Sequence, residues 1–157
     1  MGLGKTVQVI AFLTAAFGKT GDERDKKRMR KMRRLDGSEE VWYPRVLIVC
    51  PGTLMDNWKS ELDTWGWWIY DTYHGSREDK DSTLRAAQNG LTEIMITTYT
   101  TYKNHRDAIN MIPWDCVIAD ECHMIKGIPY FVPYPELSLE FFNFFNFKYL
   151  VLMYLEI

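Results

Sequence analysis

The stretch Arg45-Val-Leu-Ile-Val-Cys50, closed by Pro51-Gly52, is apolar at every position after the first. A strand with one wet face alternates apolar and polar residues. A run without alternation must be covered on both faces, which is the situation of a strand inside a parallel sheet. Similar runs occur at Glu93 to Tyr99 and at Cys116 to Ala119, and Trp68 to Tyr73 reads as a further strand. The segments between them have helical character. Thr6 to Phe17 places Val9, Ile10, Leu13 and Phe17 near one stripe and is stopped by Gly18 and Gly21. In Thr53 to Trp65, Thr53 is the expected N-cap and Leu54, Trp58, Leu62 and Trp65 share a face. Glu78 to Gln88 is a polar, charged helix, and Thr101 to Met111 a fourth. Apolar strands alternating with helices predict an α/β fold, a parallel sheet with helices on both faces. In such sheets ligands gather at the carboxyl ends of the strands, so residues with chemistry to do belong just after them.

A length of 157 residues suits one domain with a sizeable core, and 46% hydrophobic with 25% charged residues excludes a disordered or fibrous chain. A formal net charge of -2 gives no global reason to bind nucleic acid, so any such reason must be local. Cys50, Cys116 and Cys122 form no CxxC pair, and two of them lie in apolar strand runs, which reads as a reduced intracellular setting. Met1 is followed at once by Gly-Leu-Gly-Lys-Thr, so no signal peptide is read there. The apolar end from Phe141 to Ile157 is broken by Asn143, Asn146 and Lys148 and is short for a spanning helix, so no membrane partner is expected.

Gly2-Leu3-Gly4-Lys5-Thr6 matches the second half of a G-x-x-x-x-G-K-[ST] loop running into a helix. Its glycines let successive N–H groups turn toward phosphate oxygens, and the helix N-terminus adds its positive dipole end. Lys5 supplies a compact charge for the β- and γ-phosphates, and Thr6 a hydroxyl for magnesium. The first glycine of the full motif, and a strand ahead of it, are not in this sequence. By itself the match leaves open a chance GxGKT before an amphipathic helix.

The second motif is Val117-Ile118-Ala119-Asp120-Glu121-Cys122-His123, an apolar strand ending in two carboxylates and an imidazole. Asp120 there can hold magnesium through water, and Glu121 can orient or deprotonate an attacking water. Neighbours on a strand point oppositely, so the two can divide these roles only where the strand already turns into a loop. A solvated acidic turn is the bland alternative, but the GKT loop and this box in order, with buried strands between them, argue for an ATP site. His123 as a zinc ligand is disfavoured, since no second His or Cys stands at i+3 or i+4.

From Met1 to about Lys126 the chain resembles the first RecA-like lobe of the Swi/Snf-type ATPases, a branch of helicase superfamily two. MGLGKTVQVIAFL is similar to that family's first motif, although the usual acidic pair before it is missing. VLIVCPGTLMDNWKSEL resembles the next motif, with its Trp-x-x-Glu core, and ITTYTTY the strand that follows. WDCVIADECHMIKG resembles the Asp-Glu-Ala-His box, with Cys122 in place of Ala and Gly127 in place of Asn. Within the family, DNWKSELDTWG followed by Tyr-His-Gly is most like the excision-repair group 6-like branch, including its "like 2" members.

The resemblance implies ATP and Mg2+ as cofactors, with Gly2, Gly4, Lys5 and Thr6 at the phosphates, Thr6 and Asp120 on the metal, and Glu121 activating water. His123 would couple the ATP site to a neighbouring motif. Pro51, Gly52, Thr53, Thr97 and Thr98 would line a track for duplex DNA, touching phosphates and not bases, as suits a motor that steps along any sequence. It further implies DNA-dependent ATP hydrolysis driving translocation in chromatin remodelling or repair, chromatin or repair proteins as partners, and a nuclear location. A second RecA-like lobe, which supplies arginines to the transition state, is not in this sequence. Such an arginine is worth roughly 10³–10⁵ in rate, so the chain alone is expected to turn over ATP negligibly.

The domain is expected over residues 1–127 with a basic insertion at 24–34. Residues 128–157 form an aromatic-rich tail that lacks the family's Leu-Thr-Gly-Thr-Pro motif and reads as a gene-model artefact in preference to a divergent end or a truncated isoform. The basic run Arg24 to Arg34 is a solvated insertion, a nuclear-import signal or a DNA contact, and its composition does not choose between these. Trp58, Trp65, Trp67 and Trp68 are read as core packing in preference to base stacking. Three other functions compete with a working motor: a catalytically inactive lobe acting through binding, another P-loop enzyme such as a small-molecule kinase, and a basic interaction module.

Overall fold

A computed structural model describes residues 4–27, 44–121 and 149–152. In chain order they form α1 (Lys5–Ala16), β1 (Val46–Cys50), a 3-10 turn (Gly52–Leu54), α2 (Met55–Trp65) and β2 (Tyr70–Tyr73). Then follow α3 (Arg77–Gln88), β3 (Ile94–Thr98), α4 (Tyr99–Asn110), β4 (Cys116–Ala119) and β5 (Tyr149–Leu152). The strands make one parallel sheet in the order β2-β3-β1-β4-β5, with Ile48 of β1 level with Ile96 of β3 and Ile118 of β4. The expected α/β class is what the structure has.

The sheet order dictates where the helices go. The connection through α2 steps from β1 to β2 in one direction, while those through α3 and α4 step back the other way. Right-handed crossovers then require α2 on one face and α3 with α4 on the other. Two cores follow. On one face Val9, Ile10 and Leu13 of α1 and Trp58 and Leu62 of α2 pack on Val46, Ile48 and Cys50. On the other, Ala87 of α3 and Tyr102 and Ile109 of α4 pack on Leu47 and Val49. All five residues of β1 are fully buried, as its unbroken apolar run requires.

Several local expectations are corrected. Thr53 does not cap α2: the chain enters that helix through the 3-10 turn, where the Leu54 N–H already donates to the Pro51 carbonyl at 2.9 Å, and no side-chain cap forms. Trp65 does not share the buried face of α2; it is 58% exposed. The helix ends beside it at Gly66, and the space against the core is taken by Trp68, whose Cδ1 would lie 2.6 Å from a Cβ at Gly66. Trp67 is likewise exposed, so only Trp58 and Trp68 of that group are core residues. α4 begins at Tyr99, two residues before its expected start, because Thr98 caps it by accepting the Thr101 N–H at 3.1 Å. The expected polar helix is extended to Arg77 by a capping box between Ser76 and Asp79. β5 comes from the segment set apart as a tail, and pairs in parallel with β4 from Cys116↔Tyr149 to Ala119↔Leu152. Its Tyr-Leu-Val-Leu is a short unbroken apolar run of the same kind as β1. Among the described residues no helix is long and apolar enough to cross a membrane.

Candidate nucleotide site

Three strands end side by side, and each is followed by residues singled out above. Pro51, Gly52 and Thr53 follow β1, Thr97 and Thr98 end β3, and Asp120 and Glu121 follow β4. Cys50 and Thr98 are level across the β1–β3 pair, and a Cβ at Gly52 would come within 3.7 Å of Thr98 Cγ2. At the same end α1 begins, with Gly4 at its N-cap and Lys5 and Thr6 as its first residues. That helix lies here because Val9, Ile10 and Leu13 anchor its stripe to the sheet.

Asp120 is the centre of this arrangement. It is 6% exposed, and its position is set at three points. Its N–H donates to the Val49 carbonyl at 2.9 Å, its carbonyl accepts from the Tyr99 hydroxyl at 2.8 Å, and its carboxylate Oδ2 accepts from the Trp58 indole N–H at 2.8 Å. Burial pushes the Asp120 carboxyl above its ordinary range. The Trp58 indole, the Glu121 amide and the charge of Lys5 each oppose that rise. α1, which begins with Lys5, packs in the same core as Trp58, the indole that holds Asp120, so the fold brings the loop motif at the start of the chain to the sheet face that bears on the acidic box more than a hundred positions later. Glu121 takes a left-handed φ of 54°, so the strand has already turned when it is reached. On a continuing strand the two adjacent carboxylates would point to opposite faces, and this turn is what lets both serve one site.

The remaining expected residues divide. Gly52 and Thr53 are exposed and Pro51 is half-buried, so this turn offers surface. Thr97 does not: it is fully buried, and its hydroxyl donates to the Tyr73 carbonyl at 3.1 Å, tying β3 to β2. Thr98 is 8% exposed and is occupied in capping α4. Gly2, Cys122, His123 and most of the 24–34 run lie outside the described residues. Sequence reasoning missed Trp58 and Tyr99 as partners of Asp120. Trp58 was visible as an apolar helix position, but nothing in a linear sequence names the acceptor of its N–H.

The donors present suit a hard cation. Asp120 and Thr6 carry oxygen donors of the kind such a cation takes, and among the described residues no group of three His, Cys, Asp or Glu could hold a metal. An ion at Asp120 would therefore complete its shell with phosphate oxygens and water, as magnesium does.

The sequence profile of the SNF2-related domain matches residues 1–128. The chain belongs to the SNF2-related domain family. This SNF2-related domain is 38% identical over 133 residues to mouse "DNA excision repair protein ERCC-6-like 2", covering 81% of the chain and 8% of that protein. It is 35% identical over 128 residues to Arabidopsis thaliana "Switch 2", covering 81% of the chain and 14% of the relative. It is 34% identical over 135 residues to human "DNA excision repair protein ERCC-6", covering 81% of the chain and 8% of the relative. The chain thus spans a small part of the length of the relatives it matches. In fold it resembles the "Sulfolobus solfataricus SWI2/SNF2 ATPase core in complex with dsDNA". The TM-score is 0.59 at 22% identity, over 98% of this chain and 26% of that one.

Proposed function

We propose that this SNF2-related domain binds ATP with magnesium between the start of α1 and the corner after β4. It is the nucleotide half of a motor that hydrolyses ATP when bound to duplex DNA. The observation that carries the reading is the placement of α1, which opens with Gly4-Lys5-Thr6, on the sheet face from which Trp58 holds the buried Asp120 at the end of β4. A P-loop lysine and a metal-binding carboxylate share one site in phosphoryl transfer.

Gly2, Gly4 and Lys5 hold phosphates, Thr6 and Asp120 hold the metal, and Glu121 orients the attacking water, with His123 linking this site to its neighbours. Bound magnesium would neutralise charge on the β- and γ-phosphates. Pro51, Gly52 and Thr53 contact DNA phosphates, whereas Thr97 and Thr98 position that turn from behind. The names of the relatives in repair, and the duplex DNA bound by the solved ATPase core, support DNA as the partner and chromatin or repair work in the nucleus as the setting. Residues 1–127 constitute the domain in this reading, and a second RecA-like lobe completes the catalytic site.

Phosphate release by the chain, with and without duplex DNA, tests the division of labour. The chain is expected to retain a labelled ATP analogue, in a Lys5-dependent way, without appreciable turnover. Robust turnover by the chain alone, lost in Lys5→Ala, would contradict the need for a second lobe. Turnover or retention indifferent to Lys5 would contradict the site itself.

A further inference from the structure

Trp58 is fully buried on the sheet-facing side of α2. An indole differs from an aliphatic group in carrying an N–H that only donates. In this fold the N–H spans 62 positions to meet Oδ2 of Asp120 at 2.8 Å. The main chain of Asp120 is separately fixed on both sides, by Val49 and by Tyr99. With the backbone held, the rotation of the carboxylate is what remains to be set, and the indole sets it.

We propose that Trp58 is a positioning residue for the magnesium-binding carboxylate, occupying one oxygen of Asp120 so that the other is held for the metal. The proposal rests on the nucleotide reading above. It makes α2 part of the metal site without touching the metal, in the manner of outer partners that orient first ligands elsewhere. α2 follows directly on the Gly52–Leu54 turn, so the helix that carries this indole starts from that turn.

The test uses the whole chain labelled with 15N at the indoles of its six tryptophans. With a non-hydrolysable ATP analogue bound, added Mg2+ is expected to move the Trp58 indole resonance. That resonance is assigned by its loss in Trp58→Phe or, should that variant fold poorly, as the indole displaced in Asp120→Asn. In Trp58→Phe, analogue affinity without metal is expected to stay within about twofold, while the Mg2+ concentration needed for tight binding rises about tenfold, the lower end for loss of an outer partner. A purely structural role would lower both affinities together. A wild-type chain that binds the analogue with Mg2+ but whose Trp58 resonance ignores the metal, or whose Trp58→Phe variant needs no more of it, overturns this proposal alone. A wild-type chain that does not bind the analogue overturns the nucleotide reading and this proposal with it.

Discussion

The ammonium of Lys19 meets the carboxylate of Glu93 at 2.7 Å, with the two side chains 9% and 3% exposed. The other carboxylate oxygen of Glu93 accepts the Ile69 N–H at 2.9 Å, and the Lys19 ammonium lies 4.2 Å from the centre of the Trp68 ring. One ion pair therefore ties the segment after α1 to the entrances of β2 and β3. This fastens the helix that begins at Lys5 from its far end.

A buried pair is costly to break, because the surviving charge is left without compensation. Glu93→Gln is expected to lower the unfolding free energy by about 3 kcal/mol. Removing the exposed Lys59–Asp56 pair should change it by less than about 0.5 kcal/mol. Urea unfolding followed by tryptophan fluorescence measures both, and equal small losses would contradict a clamping role for Glu93.

Asp25 gives a pH signature. Burial pushes its carboxyl up, but the Thr20 N–H and hydroxyl, the Gly21 N–H and the charge of Lys19 outweigh this and leave it below its ordinary value. A carboxyl lowered in the folded state contributes stability that is present above its unfolded pKa and is lost as pH falls through the folded one. Asp25→Asn should therefore cost about 1–2 kcal/mol at neutral pH, from weakened charge-assisted bonds. The gap between variant and parent should close in acid, below the ordinary aspartate range. A gap independent of pH would contradict the assignment.

Cys50 and Cys116 are fully buried in adjacent strands, and both thiols are pushed up to about 12. In each case burial is the main cause, helped by the charge of Asp120 at Cys50 and of Asp115 at Cys116. A thiol so raised has almost no thiolate at neutral pH. Alkylation at these two positions should track global unfolding across a denaturant series. Rapid labelling in native buffer would contradict burial in a packed sheet.

The sheet was largely readable from the linear sequence because β1, β3 and β4 are buried on both faces and cannot alternate. Lys5, Asp120 and Glu121, to which the proposed chemistry is given, stood out in the sequence because they belong to runs whose spacing has a physical purpose. What stayed hidden depends on pairing across the fold. The hydroxyl of Thr97 looks available in ITTYTTY but is consumed by the β2 carbonyl, and Trp65 continues a helical stripe just where the helix runs out. Trp58 and Tyr99 converge on Asp120 only after three crossovers have stacked their helices on opposite faces. β5 belongs to a segment without the expected motif, and its place beside β4 is visible only as a pairing.

Titration calorimetry of the chain with a Mg2+-bound, non-hydrolysable ATP analogue tests the central claim, that Lys5 and Asp120 form one nucleotide site. Saturable binding that needs Mg2+ is expected, weakened at least about tenfold in Lys5→Ala, or about 1.4 kcal/mol. Asp120→Asn is expected to lose the metal dependence while keeping metal-free affinity. Binding unchanged by either substitution, or no binding by a chain shown to be folded, would contradict that claim.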